Sequence, residues 1–146
     1  MFRGKFSTRM DEKGRLKMPA DFKREIDRSY DAQFYITSRN GVVIELYPLK
    51  EWEAVEQKLL NQPMSNRAVE KLLNTTSLYG QQLEMDGQGR LTIPERHRIK
   101  FGLKGELAII GKMKRLEIRL DEEFTKSVES NLPTAEDFDE LSRLGI

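Results

Sequence analysis

One short unit occurs twice in this chain, and its repetition limits the possible folds more than any other feature of the sequence. Residues 10–19 read Met-Asp-Glu-Lys-Gly-Arg-Leu-Lys-Met-Pro, and residues 85–94 read Met-Asp-Gly-Gln-Gly-Arg-Leu-Thr-Ile-Pro. The two align without a gap on the pattern Met-Asp-x-x-Gly-Arg-Leu-x-φ-Pro, where φ is apolar. The likeness continues more loosely downstream, where Ile44-Glu45-Leu46 resembles Leu116-Glu117-Ile118 and the aromatics Trp52 and Phe124 follow at the same distance. Two whole structural units are implied, not two copies of a turn.

In each unit an alternating strand runs into Asp-x-x-Gly, which has turn chemistry. Asp11 and Asp86 can accept hydrogen bonds from nearby backbone N–H groups, and Gly14 and Gly89 can adopt positive φ, so a hairpin-like reversal is expected. Pro19 and Pro94 stand where a helix can begin, because proline is tolerated at a helix start and cannot continue a central strand. Short helices are therefore expected over residues 20–28 and 95–101, the second stopped near Gly102. Strands are expected over residues 33–37 and 42–47 around Asn40-Gly41, a type I′ hairpin signal, with counterparts at 107–110 and 116–120. Pro48 closes the strand, and Trp52, Val55, Leu59 and Leu60 recur near helical spacing over 50–60. Beyond Pro63, Ser65 is the expected N-cap of a helix reaching about Leu73. The layout is α+β and rich in strand: a first unit with its following helix at 1–62, a helical connector at 63–80, a second unit with its helix at 81–132, and an acidic, partly disordered tail at 133–146.

With 38% hydrophobic and 34% charged residues, the composition is that of a folding globular protein. No apolar run approaches the roughly 20 residues of a membrane-spanning helix, and the start lacks the apolar core of a signal peptide, so a cytoplasmic location is expected. The chain has no cysteine and one histidine, His97, which removes disulfide and thiolate chemistry and Cys-based zinc sites and argues against a His-rich metal site; no metal and no cofactor are expected. The 25 Lys and Arg nearly balance the 24 Asp and Glu, but the cations crowd the N-terminal end and the acids the C-terminal end. One end is thus a candidate anion binder.

On the first strand Phe2, Phe6 and Met10 share one parity while Arg3, Lys5 and Arg9 share the other, so one face can enter a core and the opposite face carries a row of cations. The turn extends the row with Lys13, Arg15 and Lys17. A planar guanidinium can bind phosphate bidentately or take the O6/N7 edge of guanine, which gives Arg15 both an affinity role and a reading role. Lys13 and Lys17 suit simple phosphate contacts. The bland reading is a solvated or edge-protecting face with a local Asp-to-Arg ion pair. The second copy is less basic: Glu84 stands where the first has Arg9, Gln88 replaces Lys13, and Arg90 alone keeps the counterpart of Arg15. That copy is expected to preserve the scaffold while the first supplies most of the charge.

Other chemistry has few parts. Gly87-Gln88-Gly89 lacks the third glycine of a dinucleotide loop, no Gly-Lys-Ser/Thr phosphate loop occurs, and no Ser/His or Cys/His arrangement is present, so neither an enzyme nor a small-molecule substrate is expected. His97 reads as a surface or helix-packing residue. The alternatives to DNA binding are an assembly or protein-interaction module without DNA binding, and an enzyme acting on an anionic substrate.

The opening Met1-Phe-Arg-Gly, the two Asp-x-x-Gly-Arg-Leu turns and the segment Leu46-Tyr-Pro-Leu-x-Glu-Trp52 resemble the MraZ family of bacterial transcription regulators over nearly the whole chain. That resemblance implies two tandem AbrB/SpoVT-like swapped-hairpin units forming an intramolecular pseudo-dimer with flanking helices. It implies closed rings of subunits, nucleoid-associated, that bind double-stranded DNA at direct promoter repeats upstream of the division and cell-wall gene cluster. By position it makes Arg15 a principal DNA-binding residue and places Asp11 and Arg15, and Asp86 and Arg90, at equivalent turns. One departure is Arg119, where the family often has an aromatic.

Overall fold

The computed structural model describes all 146 residues, Met1–Ile146. Strand β1 (Lys5–Thr8) leads through the first turn to β2 (Arg15–Lys17), helix α1 (Ala20–Ser29), β3 (Gln33–Thr37), β4 (Ile44–Pro48), α2 (Leu49–Leu60) and α3 (Arg67–Leu78). The second half repeats the series as β5 (Gln81–Glu84), β6 (Arg90–Thr92), α4 (Glu95–Lys100), β7 (Leu107–Lys112), β8 (Arg115–Leu120) and α5 (Asp121–Ser130), and α6 (Ala135–Arg143) closes the chain.

The strands form a six-stranded antiparallel sheet, ordered β1-β7-β8-β4-β3-β5, and a two-stranded ribbon of β2 and β6. Exchanging each strand for its repeat counterpart leaves both orders unchanged, so the chain has a pseudo-two-fold axis and is an intramolecular pseudo-dimer. Each outer strand is swapped: β1 pairs with β7 of the second half, and β5 pairs with β3 of the first. The axis passes between Leu16 and Leu91 in the ribbon and between Glu45 and Glu117 in the large sheet.

Strand alternation decides what is buried. Ile44, Leu46, Leu116 and Ile118 face a core that also holds Phe34, Ile36, Leu107 and Ile109 from the same sheet. Leu16, Leu91, Met18 and Ile93 from the ribbon segments and Phe22 and Ile26 from α1 complete it. Phe22 meets Phe2 and Phe6 edge-on, with ring centroids 5.6 and 5.0 Å away, which fixes α1 against the swapped strand. Pro19, Pro48 and Pro94 each occupy the N-cap of the helix that follows, where a missing N–H removes no hydrogen bond.

The outer face of the large sheet is covered by helices. Trp52 of α2 stacks on Tyr35 at 4.8 Å and leans on Tyr47 at 5.0 Å, while the carbonyl of Thr76 in α3 accepts from the hydroxyls of Tyr35 and Thr37. When residues 44–46 are aligned with 116–118, Arg119 stands at the position of Tyr47. Its guanidinium lies 5.3 Å from the Phe124 ring of α5, so a cation–π contact replaces an aromatic pair. On the axis itself the buried Glu45 accepts from Arg39 Nε at 2.8 Å and from the Tyr47 hydroxyl at 2.7 Å. Arg115 approaches the same carboxylate to 3.1 Å without hydrogen-bond alignment and Glu117 to 3.6 Å, so the two facing acids are paired with cations.

Three local expectations are corrected. Asn40-Gly41 does not form a two-residue hairpin: pairing stops at Thr37↔Glu45, and the Asn40 side chain accepts from the N–H groups of Val42 and Val43 while Ser38 Oγ accepts from Gly41. These bonds stabilise a wider loop, and β4 starts at Ile44 instead of Val42. The tight reversal lies in the second half, where Lys112 pairs with Arg115 and Met113 takes a φ of 65°. The α3 N-cap is Asn66, not Ser65, because its side chain accepts from Ala68 and Val69, and the helix continues to Leu78. The acidic tail is helical, nucleated by a capping box in which Thr134 and Asp137 satisfy each other's backbone N–H groups.

Because Leu16 and Leu91 are fully buried and face one another across the axis, Leu16→Ala or Leu91→Ala should each cost about 2–5 kcal/mol. The double variant should deviate from the sum by about 0.5–3 kcal/mol in a denaturant-unfolding cycle. Strict additivity would contradict the shared axial contact.

Candidate nucleic-acid interface

Both turns are built by the same three bonds to one carboxylate. Asp11 Oδ1 accepts from the backbone N–H groups of Lys13 and Arg15, both at 2.9 Å, and Oδ2 accepts from Arg15 Nε at 2.6 Å. Asp86 does the same with Gln88 N, Arg90 N and Arg90 Nε, all at 2.9 Å. Gly14 and Gly89 take φ of 76° and 75°, which closes each turn and explains the glycine in the motif. The turns are then locked to the opposite half, since Gly14 O accepts from Ile93 N at 2.9 Å and Gly89 O from Met18 N at 2.8 Å.

These bonds set the electrostatics. The Arg15 backbone N–H, above all, holds the Asp11 carboxyl below the ordinary carboxylate range, with the Arg15 side chain and Lys13 N–H acting in the same direction against partial desolvation. Asp86 is lowered in the same way by Arg90 and Gln88. Each arginine has only Nε engaged, so its two Nη groups are left for a ligand.

Pairing in the ribbon places Lys17 opposite Arg90 and Arg15 opposite Thr92. Directly opposed residues share a face, so Arg15, Lys17 and Arg90 lie together on the side away from Leu16 and Leu91. Lys13 is exposed at the tip of the first turn. The rest of the cationic row is dispersed. Lys5 Nζ is 2.7 Å from Asp121 at the start of α5, and Ser7 donates to the same carboxylate at 2.9 Å; Lys5 foremost, then Ser7, lower the Asp121 pKa. Arg9 pairs loosely with Glu106 at 3.4 Å, and Arg3 lines a separate hollow with Asp21 and Glu25. The swap of β1 onto β7 brings Asp121 and Glu106 of the second half to the basic strand.

Sequence reasoning missed Arg98 of α4, whose guanidinium lies so close over Gly14 that a Cβ there would come within 2.7 Å of it. The repeat held the signal, because Arg98 aligns with Lys23, which lies over Gly89. His97 is buried, its Nε2 2.7 Å from the Tyr79 carbonyl, and burial above all lowers its pKa. It packs α4 against the connector. No group of three or more His, Asp or Glu side chains is placed to hold a metal ion.

With the repeat visible in both sequence and geometry, comparison with known proteins decides the family. A family model described as "MraZ protein, putative antitoxin-like" matches residues 1–75 and again residues 79–143. The chain belongs to the MraZ family. A protein of Acidobacterium capsulatum named "Transcriptional regulator MraZ" is 49% identical over 146 residues, covering all of both chains. One of the same name from Koribacter versatilis is 51% identical over 147 residues, again end to end. A MraZ relative from Methylococcus capsulatus is 35% identical over 118 residues, covering 81% of this chain and 78% of its own.

The Asp clamps have a pH signature. A carboxyl whose folded pKa is depressed contributes stability above its unfolded pKa, and that stability is lost as pH falls through the folded value. Stability should therefore decline below about pH 4. In Asp11→Asn/Asp86→Asn part of that decline should disappear while stability near neutrality drops, read as thermal midpoints across the acid range. An unchanged acid limb would show that the clamps are not formed in solution.

Proposed function

We propose that this MraZ-family chain is a sequence-specific DNA-binding transcription regulator that acts in the cytoplasm on the nucleoid. In this reading it controls the bacterial division and cell-wall gene cluster by binding tandem promoter repeats as a ring of subunits, through the basic turns. The carrying observation is the pair of Asp–Arg clamps on an exposed ribbon, which hold Arg15 and Arg90 by Nε and leave their outer nitrogens unpaired. A two-stranded ribbon fits the major groove of duplex DNA, where arginine takes guanine O6 and N7. The relatives named transcriptional regulators support the same reading, and no helix is long and apolar enough to cross a membrane.

Self-association is supported by unpartnered apolar surface. Leu60, Met64 and Leu73 border a hollow of about 400 Å³ between α2 and α3, and Phe138 is exposed on α6. A ring would bury such surface and carry several ribbons to successive repeats, so that individually weak contacts gain affinity through effective concentration where repeat and subunit spacing match.

The first turn, with Lys13 and Lys17 beside Arg15, supplies more charge than the second, where Gln88 and Thr92 stand. Arg15→Ala should lose about 1–3 kcal/mol of binding to a repeat-containing duplex, and Arg90→Ala should lose less. Titrations on repeat-containing and scrambled duplexes measure both. Equal affinities for wild type and Arg15→Ala on both duplexes would overturn the reading.

A further inference from the structure

A hollow of about 280 Å³ lies beside the first turn and is lined by Arg9, Asp11, Gly14, Arg98, Lys104 and Gly105 among others. It joins elements far apart in sequence: the end of the first basic strand, the Asp11 turn, α4 and the loop that leads to β7. Three cations border it. The only carboxylate among its lining residues, Asp11, is already satisfied by Lys13 and Arg15. Arg98 is oriented by one bond, from Nε to the Ile93 carbonyl at 3.0 Å, which leaves its Nη groups unpaired. The backbone N–H groups of Lys104 and Gly105 donate no hydrogen bond within the protein, and Gly105 has open space where a side chain would stand. The space is several times the roughly 30 Å³ that one water occupies in the liquid.

We propose that this hollow seats a backbone phosphate of duplex DNA, next to the bases that Arg15 would contact. The inference rests on the DNA-binding reading and deepens it. Arg98, Lys104 and the two adjacent amides supply the donors, and Arg9 adds charge at the rim, where its only protein partner is Glu106 at 3.4 Å. A phosphodiester oxygen suits charged forks and convergent backbone N–H groups.

The pseudo-symmetry contains its own control. At the second turn the Arg98 counterpart is Lys23, whose Nζ is held by both oxygens of Asp27 at 2.7 and 2.8 Å, and the Arg9 counterpart is Glu84. An equivalent seat there has lost its free cation and gained an acid. The charge difference between the copies, visible in sequence at Arg9 and Glu84, thus becomes a phosphate seat at one turn only.

The test is the salt dependence of duplex binding by the full chain for wild type, Arg98→Gln, Lys104→Gln, Lys23→Gln and Arg15→Ala. Each lost phosphate contact lowers the slope of log K against log salt by about 0.9. The seat predicts that decrease for Arg98→Gln and Lys104→Gln, with the same fold-loss on repeat-containing and scrambled duplexes, and no change for Lys23→Gln. Lys104 makes no side-chain bond within the protein, so its variant answers even if Arg98→Gln disturbs the turn. Unchanged slopes in both variants, with Arg15→Ala still weakened, would remove the seat and leave the DNA reading standing. A loss confined to the repeat-containing duplex would also remove it, because a phosphate contact is blind to sequence. No binding by wild type would remove both.

Discussion

The exchange of outer strands between the two halves is the constraint on which the rest of the structure depends. A single unit would leave β1 or β5 without its neighbour and would expose the apolar side of β2 or β6. Swapping gives β1 the partner β7 and β5 the partner β3, and it brings Leu16 and Leu91 together over a shared core. Covalent connection through α2 and α3 makes the second unit available at high effective concentration, so the dimer-like fold forms within one chain. The same swap fixes which charges are free, because it lays the basic β1 across strands that end near Asp121 and Glu106.

Symmetry of the backbone and asymmetry of the charge serve different ends. The two Asp clamps agree bond for bond, and both glycine carbonyls reach across the ribbon to the same acceptor role. Around that common frame the side chains diverge: Lys13 against Gln88, Lys17 against Thr92, Arg9 against Glu84, Arg98 against Lys23. The shared residues build the common frame, and the residues that differ set the charge around it. Copies can therefore drift in charge without losing the scaffold, provided Asp, Gly, Arg and the axial leucine remain.

What was legible in the sequence follows the range of the interactions involved. The Asp-x-x-Gly turns, the helices after Pro19, Pro48 and Pro94 and the alternation of the strands depend on neighbours in sequence, and they stand where the residues indicate. Asn40-Gly41 misleads because the Ser38 and Asn40 side chains bond the loop backbone, a competition that a dipeptide signal omits. The tail reads as disordered by composition, yet Thr134 and Asp137 hold the signature of a helix start that acidity obscures. Least visible were pairs across the swap. The partner of Lys5 lies 116 residues away, and Arg98 reaches Gly14 only because α4 crosses to the opposite turn.

The most direct measurement is a map of backbone amide shifts by NMR as duplex carrying the tandem repeats is added to the intact chain. The account predicts the largest changes over residues 11–17 and at Arg90, followed by 98–105, with smaller ones over 86–89. Changes confined to α2, α3 or α6, or spread equally over the two turns, would contradict it.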